Sequence, residues 1–111
     1  MKLNYKIWLE KDEEKVFGDG PLDILQRTER TGSLRKAAEE INMSYSQAWT
    51  LIKSLEERLG FQLLKSRVGG EYGGGSEPTA KARDLMMKFE IFRSKVKDNL
   101  ESLYKEVFYE E

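Results

Sequence analysis

The 111-residue sequence predicts an α+β domain in which short strands flank a group of helices, and three observations carry that prediction. Two helical patterns lie close together between Ser33 and Leu59. A segment with five glycines in seven residues, 69 to 75, follows them, and from Thr79 to Tyr109 the chain has neither Gly nor Pro. This succession predicts a winged helix-turn-helix with N-terminal strands and a long C-terminal helix. The expected organisation is one domain over 1–111, divided into a strand region at 1–17, three helices over 21–59 with the helix-turn-helix at 33–59, the wing at 61–77 and the C-terminal helix at 79–109.

The N-terminal strand rests on Leu3, Tyr5, Ile7 and Leu9 alternating with Lys2, Asn4 and Lys6, a period of two that marks a half-buried strand; Trp8 interrupts its polar face. A charged turn at Lys11 to Glu14 leads to a short return strand at Val16-Phe17, which Gly18-Asp19-Gly20 stops. Pro21 suits the first position of a helix because its missing N–H would be unpaired there, and Leu22, Ile24 and Leu25 supply an apolar face as far as Gly32. Ser33 caps a second helix of about nine residues through Leu34, Ala37, Ala38 and Ile41, and Asn42 closes it in the left-handed conformation. Ser44-Tyr45-Ser46-Gln47 has the spacing of a capping box and opens a third helix, with Ala48, Leu51, Ile52, Leu55 and Leu59 inward and Gly60 at its end.

Small residues where the second and third helices meet, and the short turn between them, force a large crossing angle that projects the third helix outward. Its outer face carries Ser46, Gln47, Thr50 and Lys53, with Ser44 and Tyr45 at its start. These groups suit base edges and phosphates, although an ordinary solvated helix face can carry them too. Phe61 to Arg67 reads as a strand. The glycine run after it is either the tip of a hairpin wing or a linker, and its place between Arg67 and Lys81 favours the wing. No Gly-Lys-Ser/Thr follows, which excludes a P-loop.

Along the last helix Leu85, Phe89, Phe92, Val96, Leu100, Leu103 and Val107 recur at steps of three and four, one stripe on a helix of about 45 Å. A helix of that length overhangs so small a domain. A second copy of it is the expected cover, making these residues a dimer interface, with folding back onto the N-terminal strand as the other way to bury them.

Composition narrows the function. There is no Cys and no His, which removes disulfides, thiolate zinc sites and the usual general base near neutral pH; no catalytic residue, metal or cofactor is expected. Charged residues make up 35% and no apolar run approaches the ~20 residues of a membrane span, so neither a membrane partner nor a secretory leader is expected and the cytoplasm is the expected compartment. The net charge of −1 hides a gradient: residues 27 to 67 hold eight basic and five acidic groups, whereas the segments on either side are each acidic by two.

The pattern Gly32-Ser33, Ala37-Ala38, Ile41-Asn42-Met43-Ser44-Tyr45, Ala48-Trp49, Leu55-Glu56 and Leu59-Gly60-Phe61, then Gly69-Gly70 and Gly73-Gly74-Gly75 before Thr79, resembles the N-terminal winged helix-turn-helix of ModE-type molybdenum regulators, which is related to the LysR-type DNA-binding domain. The resemblance covers roughly residues 17 to 108. It implies a homodimeric, sequence-specific regulator of transcription that binds double-stranded DNA at an inverted-repeat operator. On this sequence it puts DNA contacts at Ser44, Tyr45, Ser46, Gln47, Thr50 and Lys53 and on the wing at Arg67, Gly69, Gly70, Tyr72, Gly73, Gly74 and Ser76, with Arg35 and Lys36 as phosphate contacts. The other reading of such a fold is a protein-interaction module that binds no DNA.

Two departures stand out. Glu71-Tyr72 occupies the place where the family's wing usually carries a basic residue, and full-length ModE proteins continue into molybdate-binding domains, for which these 111 residues have no room. No small-molecule ligand is therefore expected in this chain. Trp49 has two readings: its helical spacing from Ile52 favours the core, whereas the matching position in LysR-like domains is often small and faces DNA.

Overall fold

The computed structural model describes residues 1–67 and 75–109. The elements run β1 (Trp8–Lys11), β2 (Glu14–Gly18), α1 (Asp19–Thr31), α2 (Leu34–Glu40), α3 (Tyr45–Leu59), β3 (Leu64–Ser66), β4 (Ser76–Pro78) and α4 (Ala80–Phe108). Two antiparallel two-stranded sheets, β1–β2 and β3–β4, sit on a helical core, and α4 stretches the molecule to 61 × 29 × 23 Å.

The N-terminal alternation is only partly realised as strand. Trp8 pairs with Gly18 and Leu9 with Phe17, and at Gly18 the partner strand leaves the sheet for α1. Nothing remains on that side to pair with residues 1–7, so Leu3 and Tyr5 are exposed, while Leu9 packs against the core. Asp12 and Glu13, both at positive φ (52° and 66°), turn the hairpin.

The first helix begins two residues before the expected Pro21, at Asp19, with Gly18 as its N-cap. Proline is still accommodated, because no N–H in the first turn has an intrahelical acceptor. Gly32 ends α1 with φ 75°, and Gly60 ends α3 with φ 84°; both are left-handed positions that a side chain would strain. The second helix has seven residues rather than nine. Ser33 caps it by accepting from the Lys36 N–H, and Asn42 has the expected positive φ of 55°. The Ser44 box is complete, with Ser44 Oγ accepting from the Gln47 N–H and Gln47 Oε1 accepting from the Ser44 N–H, each at 3.1 Å.

Phe17, Leu22, Ile24, Leu25, Leu34, Ala37, Ala38, Ala48, Ile52, Leu55 and Leu63 form the core, closed from the other side by Ala82, Met86 and Phe89 of α4. Phe89 meets Phe17 edge-on with ring centroids 5.3 Å apart. This corrects the expected interface stripe. At 2% exposure Phe89 is spent on the chain's own core, and Leu85 is partly packed there, because the proximal turns of α4 lie on the domain. Beyond them Phe92, Leu103 and Val107 are exposed at 48, 52 and 68%.

Polar contacts fix the elements to one another. Arg83 to Glu29 (2.7 Å), Arg93 to Asp19 (2.7 Å) and Gln26 to Glu90 (2.6 Å) join α1 to α4. Glu40 at the end of α2 accepts from both Arg27 (2.9 Å) and Arg30 of α1. That pairing, Arg30 first and then Arg27, holds the Glu40 carboxyl below its ordinary range, and Glu40 in turn pushes the Arg27 guanidinium up.

Candidate nucleic-acid interface

Helix α3 buries Ala48, Ile52 and Leu55 and turns Ser46, Thr50, Lys53 and Glu57 the other way, as its 3.6-residue period requires. Ser46 and Thr50 lie at the centre of that exposed face. Gln47 sits on one flank with its amide oxygen already engaged in the capping box, leaving the amide N–H groups for a ligand. Ser44 is similarly occupied through its Oγ.

The opposite flank faces the β3–β4 sheet and carries two aromatic rings. Tyr45 is 40% exposed, and the Arg35 guanidinium of α2 lies 4.3 Å from its ring centroid. That cation–π contact ties the start of the recognition helix to α2 and holds Arg35 beside it. Trp49 is 48% exposed, so of its two readings the structure realises the outward one. The core position goes to Ala48, because an indole there would have no space between α2 and α3. Lys36 is exposed one residue beyond Arg35.

Lys53 is not a free cation. Its Nζ lies 3.1 Å from Glu56 Oε1 and 5.6 Å from the Trp49 ring centroid. Glu56 has a second task, since its other oxygen accepts from the Leu63 (2.7 Å) and Leu64 (3.3 Å) N–H groups. One carboxylate thereby fixes the angle at which the chain passes from α3 into β3.

The expected strand from Phe61 to Arg67 contracts to three residues, Leu64–Ser66, paired with Ser76–Pro78. Thr79 anchors the far end, donating from Oγ1 to the Gln62 carbonyl at 2.6 Å while capping α4 by accepting from the Ala82 N–H. At the near end the Arg67 N–H donates to the Gly75 carbonyl (3.1 Å) and the Ser76 N–H to the Gly32 carbonyl (2.9 Å). The wing base is thus bonded directly to the α1–α2 turn. The Arg67 side chain lies over Gly32, where a Cβ would collide with its guanidinium. Ser76 is half-buried, held by its backbone rather than projecting freely. Gly69, Gly70, Tyr72, Gly73 and Gly74 lie outside the described residues.

The structure holds Arg35 against Tyr45 at the start of α3 and sets Ser46, Thr50 and Lys53 on the exposed side of that helix, whereas Lys36 is exposed on α2 and Arg67 lies over the α1–α2 turn at the wing base. Three residues absent from the sequence-based set, Gln62, Lys65 and Ser66, stand beside α3. Lys65 pairs across the strands with Glu77 (3.7 Å), and Gln62, Lys65 and Ser66 line a cleft of about 380 Å³ between α3 and the wing base together with Tyr45, Trp49 and Ser76. Lys65 stands two residues from Arg67 in the basic middle third, and that spacing was the available signal. Among the described residues no cluster of His, Cys, Asp or Glu could hold a metal ion, and no helix is long and apolar enough to cross a membrane.

Comparison with known proteins agrees with this fold. Residues 21–83 match the bacterial regulatory helix-turn-helix protein family of the lysR type. The molybdenum transport protein ModE of Herbaspirillum seropedicae is 31% identical over 83 residues, 75% of this chain and 30% of that protein. The ModE of Azotobacter vinelandii is 26% identical over 95 residues, 86% of this chain and 35% of that one. The chain thus spans about a third of the length of these curated relatives. Among solved structures, the CbnR_DBD–DNA complex shares the fold at a TM-score of 0.55 and 19% identity, covering 74% of this chain and 92% of that one. With more than half of its residues matched to one family, this ModE-like chain belongs to the bacterial regulatory helix-turn-helix proteins of the lysR family.

Proposed function

We propose that this chain is a sequence-specific transcriptional regulator that binds double-stranded DNA in the cytoplasm, as a homodimer joined through α4. The observation that carries the reading is the exposed face of α3: uncharged hydrogen-bonding groups at Ser46 and Thr50, with Arg35 held against Tyr45 at the start of the helix and Lys65 lining the cleft on its flank. Uncharged groups at the centre suit base edges, and cations at the margin suit phosphates. A sequence-reading face needs both.

Support for the dimer comes from Phe92, Leu103 and Val107, exposed along the distal part of α4 in line with the half-buried Val96 and Leu100. Two copies would then place two recognition helices about one DNA turn (~34 Å) apart, or a multiple of it, on an inverted repeat. Molybdate is not required in this reading, and adding it should leave affinity and melting temperature unchanged.

The test is selection of the chain against a randomised duplex library, followed by binding of the enriched and a scrambled duplex across a salt series. Thr50→Ala is expected to cost about 1–3 kcal/mol on the enriched duplex and little on the scrambled one, whereas Arg67→Ala should weaken both and lower the salt slope by about one. Gln47→Ala should also lose specificity, but it opens the capping box as well, which makes Thr50 the cleaner probe. Salt-independent binding, or no enrichment, would favour the protein-interaction module instead.

A further inference from the structure

We propose that the Trp49 indole reads thymine by packing against its 5-methyl group in the major groove; the inference rests on the DNA-binding reading above. Trp49 stands on the flank of that face, next to Thr50 and about one turn from both Ser46 and Lys53, and is the larger of the two exposed rings there at 48% exposure. Leaving half an indole in water exposes on the order of 100 Å² of mostly apolar surface. The position is held rather than accidental. The indole lines the same cleft as Leu64, Lys65 and Ser76, and Lys53, fixed by Glu56 at 3.1 Å, has its ammonium 5.6 Å from the ring centroid.

The chemistry of the groove narrows the match. Base edges in the major groove present hydrogen-bond donors and acceptors, and their apolar feature is the C5-methyl of thymine. Stacking on a base face would require an unstacked base, which an intact duplex does not offer. Ser46 and Thr50 beside the indole supply the polar contacts expected next to such a methyl group. Trp49 is therefore a specificity-determining residue, favouring thymine at one or two positions that the hydroxyl groups alone would read loosely.

The experiment uses the full chain and the duplex enriched from the randomised library, resynthesised with deoxyuridine in place of each thymine in turn. Uracil lacks the methyl group and keeps its pairing. Removing the contacted methyl is expected to weaken wild-type binding about fourfold, the transfer value of one buried carbon. Trp49→Ala should bind the thymine duplex more weakly and show no further loss on uracil at those positions. A Trp8→Phe protein retains Trp49 as its sole indole and stays close to the wild-type sequence; its emission should change more on the thymine duplex than on the uracil one. Equal uracil losses in wild type and Trp49→Ala, or uracil insensitivity of the wild type with no difference in emission, would overturn the inference alone. Failure to enrich any duplex would overturn the DNA-binding reading and this inference with it.

Discussion

Removing the Glu56 carboxylate should unhinge the wing from the recognition helix. Its side chain is 10% exposed, and its Oε2 is the acceptor for the N–H of Leu63, a fully buried residue, at 2.7 Å and for that of Leu64 at 3.3 Å. Glu56→Ala leaves the first donor without a partner where water has little access, a cost of about 1–3 kcal/mol, and the longer second bond adds about 0.5–1 kcal/mol. The Lys53 pair is half-exposed and screened, so its loss adds a few tenths of a kcal/mol at most, roughly. The total of about 2–4 kcal/mol corresponds to a fall in melting temperature of roughly 8–20 °C for a domain of this size. Glu56→Gln separates the two tasks. Its amide oxygen can still accept from the backbone, so most stability should return, while Lys53 is released and affinity for scrambled DNA should rise with a steeper salt slope. The assay is thermal unfolding of the three proteins followed by DNA titration at several salt concentrations. A Glu56→Ala loss under about 0.5 kcal/mol, or a Gln variant as unstable as the Ala one, would refute the argument that the backbone contacts dominate.

Three further outcomes follow from the same geometry. Sedimentation at micromolar concentration should give about twice the 12.9 kDa chain mass, and Phe92→Asp with Leu100→Asp should give a monomer; a wild-type monomer would remove α4 as an interface. Phe89→Ala should instead destabilise the fold itself by about 3–5 kcal/mol in denaturant unfolding, because that ring packs on Phe17. Glu40 has its folded-state pKa lowered from an ordinary value of 4.5, so its contribution is present above that value and is lost as pH falls through the lowered one. Melting across that acid range should show a flatter profile for Glu40→Gln than for wild type, and parallel profiles would refute the assignment.

Much of the fold was legible in the sequence because its punctuation is local. The Ser33 and Ser44 caps, the left-handed Gly32, Asn42 and Gly60, and the Thr79 start of α4 depend on hydrogen bonds within three or four residues and on backbone sterics, which a short window contains. The outward placement of Ser46 and Thr50 followed from helical period alone. Period says which residues share a face, however, and is silent on what covers it. The stripe from Leu85 to Val107 ran unbroken in the sequence, yet Phe89 belongs to the domain's own core and Phe92 to its surface, because only the folded body fixes how far along α4 the contact with α1 extends. Strand pairing was likewise undecidable for Leu3 and Tyr5, since their partner strand ends at Gly18. Trp49 stood at a helical spacing from Ile52 consistent with burial, and it was the close approach of α2 and α3 around Ala37, Ala38 and Ala48 that turned its indole outward. Sequence by itself determined the elements and their caps; tertiary packing decided which apolar groups were left over, because burial is a property of the neighbours that distant segments supply.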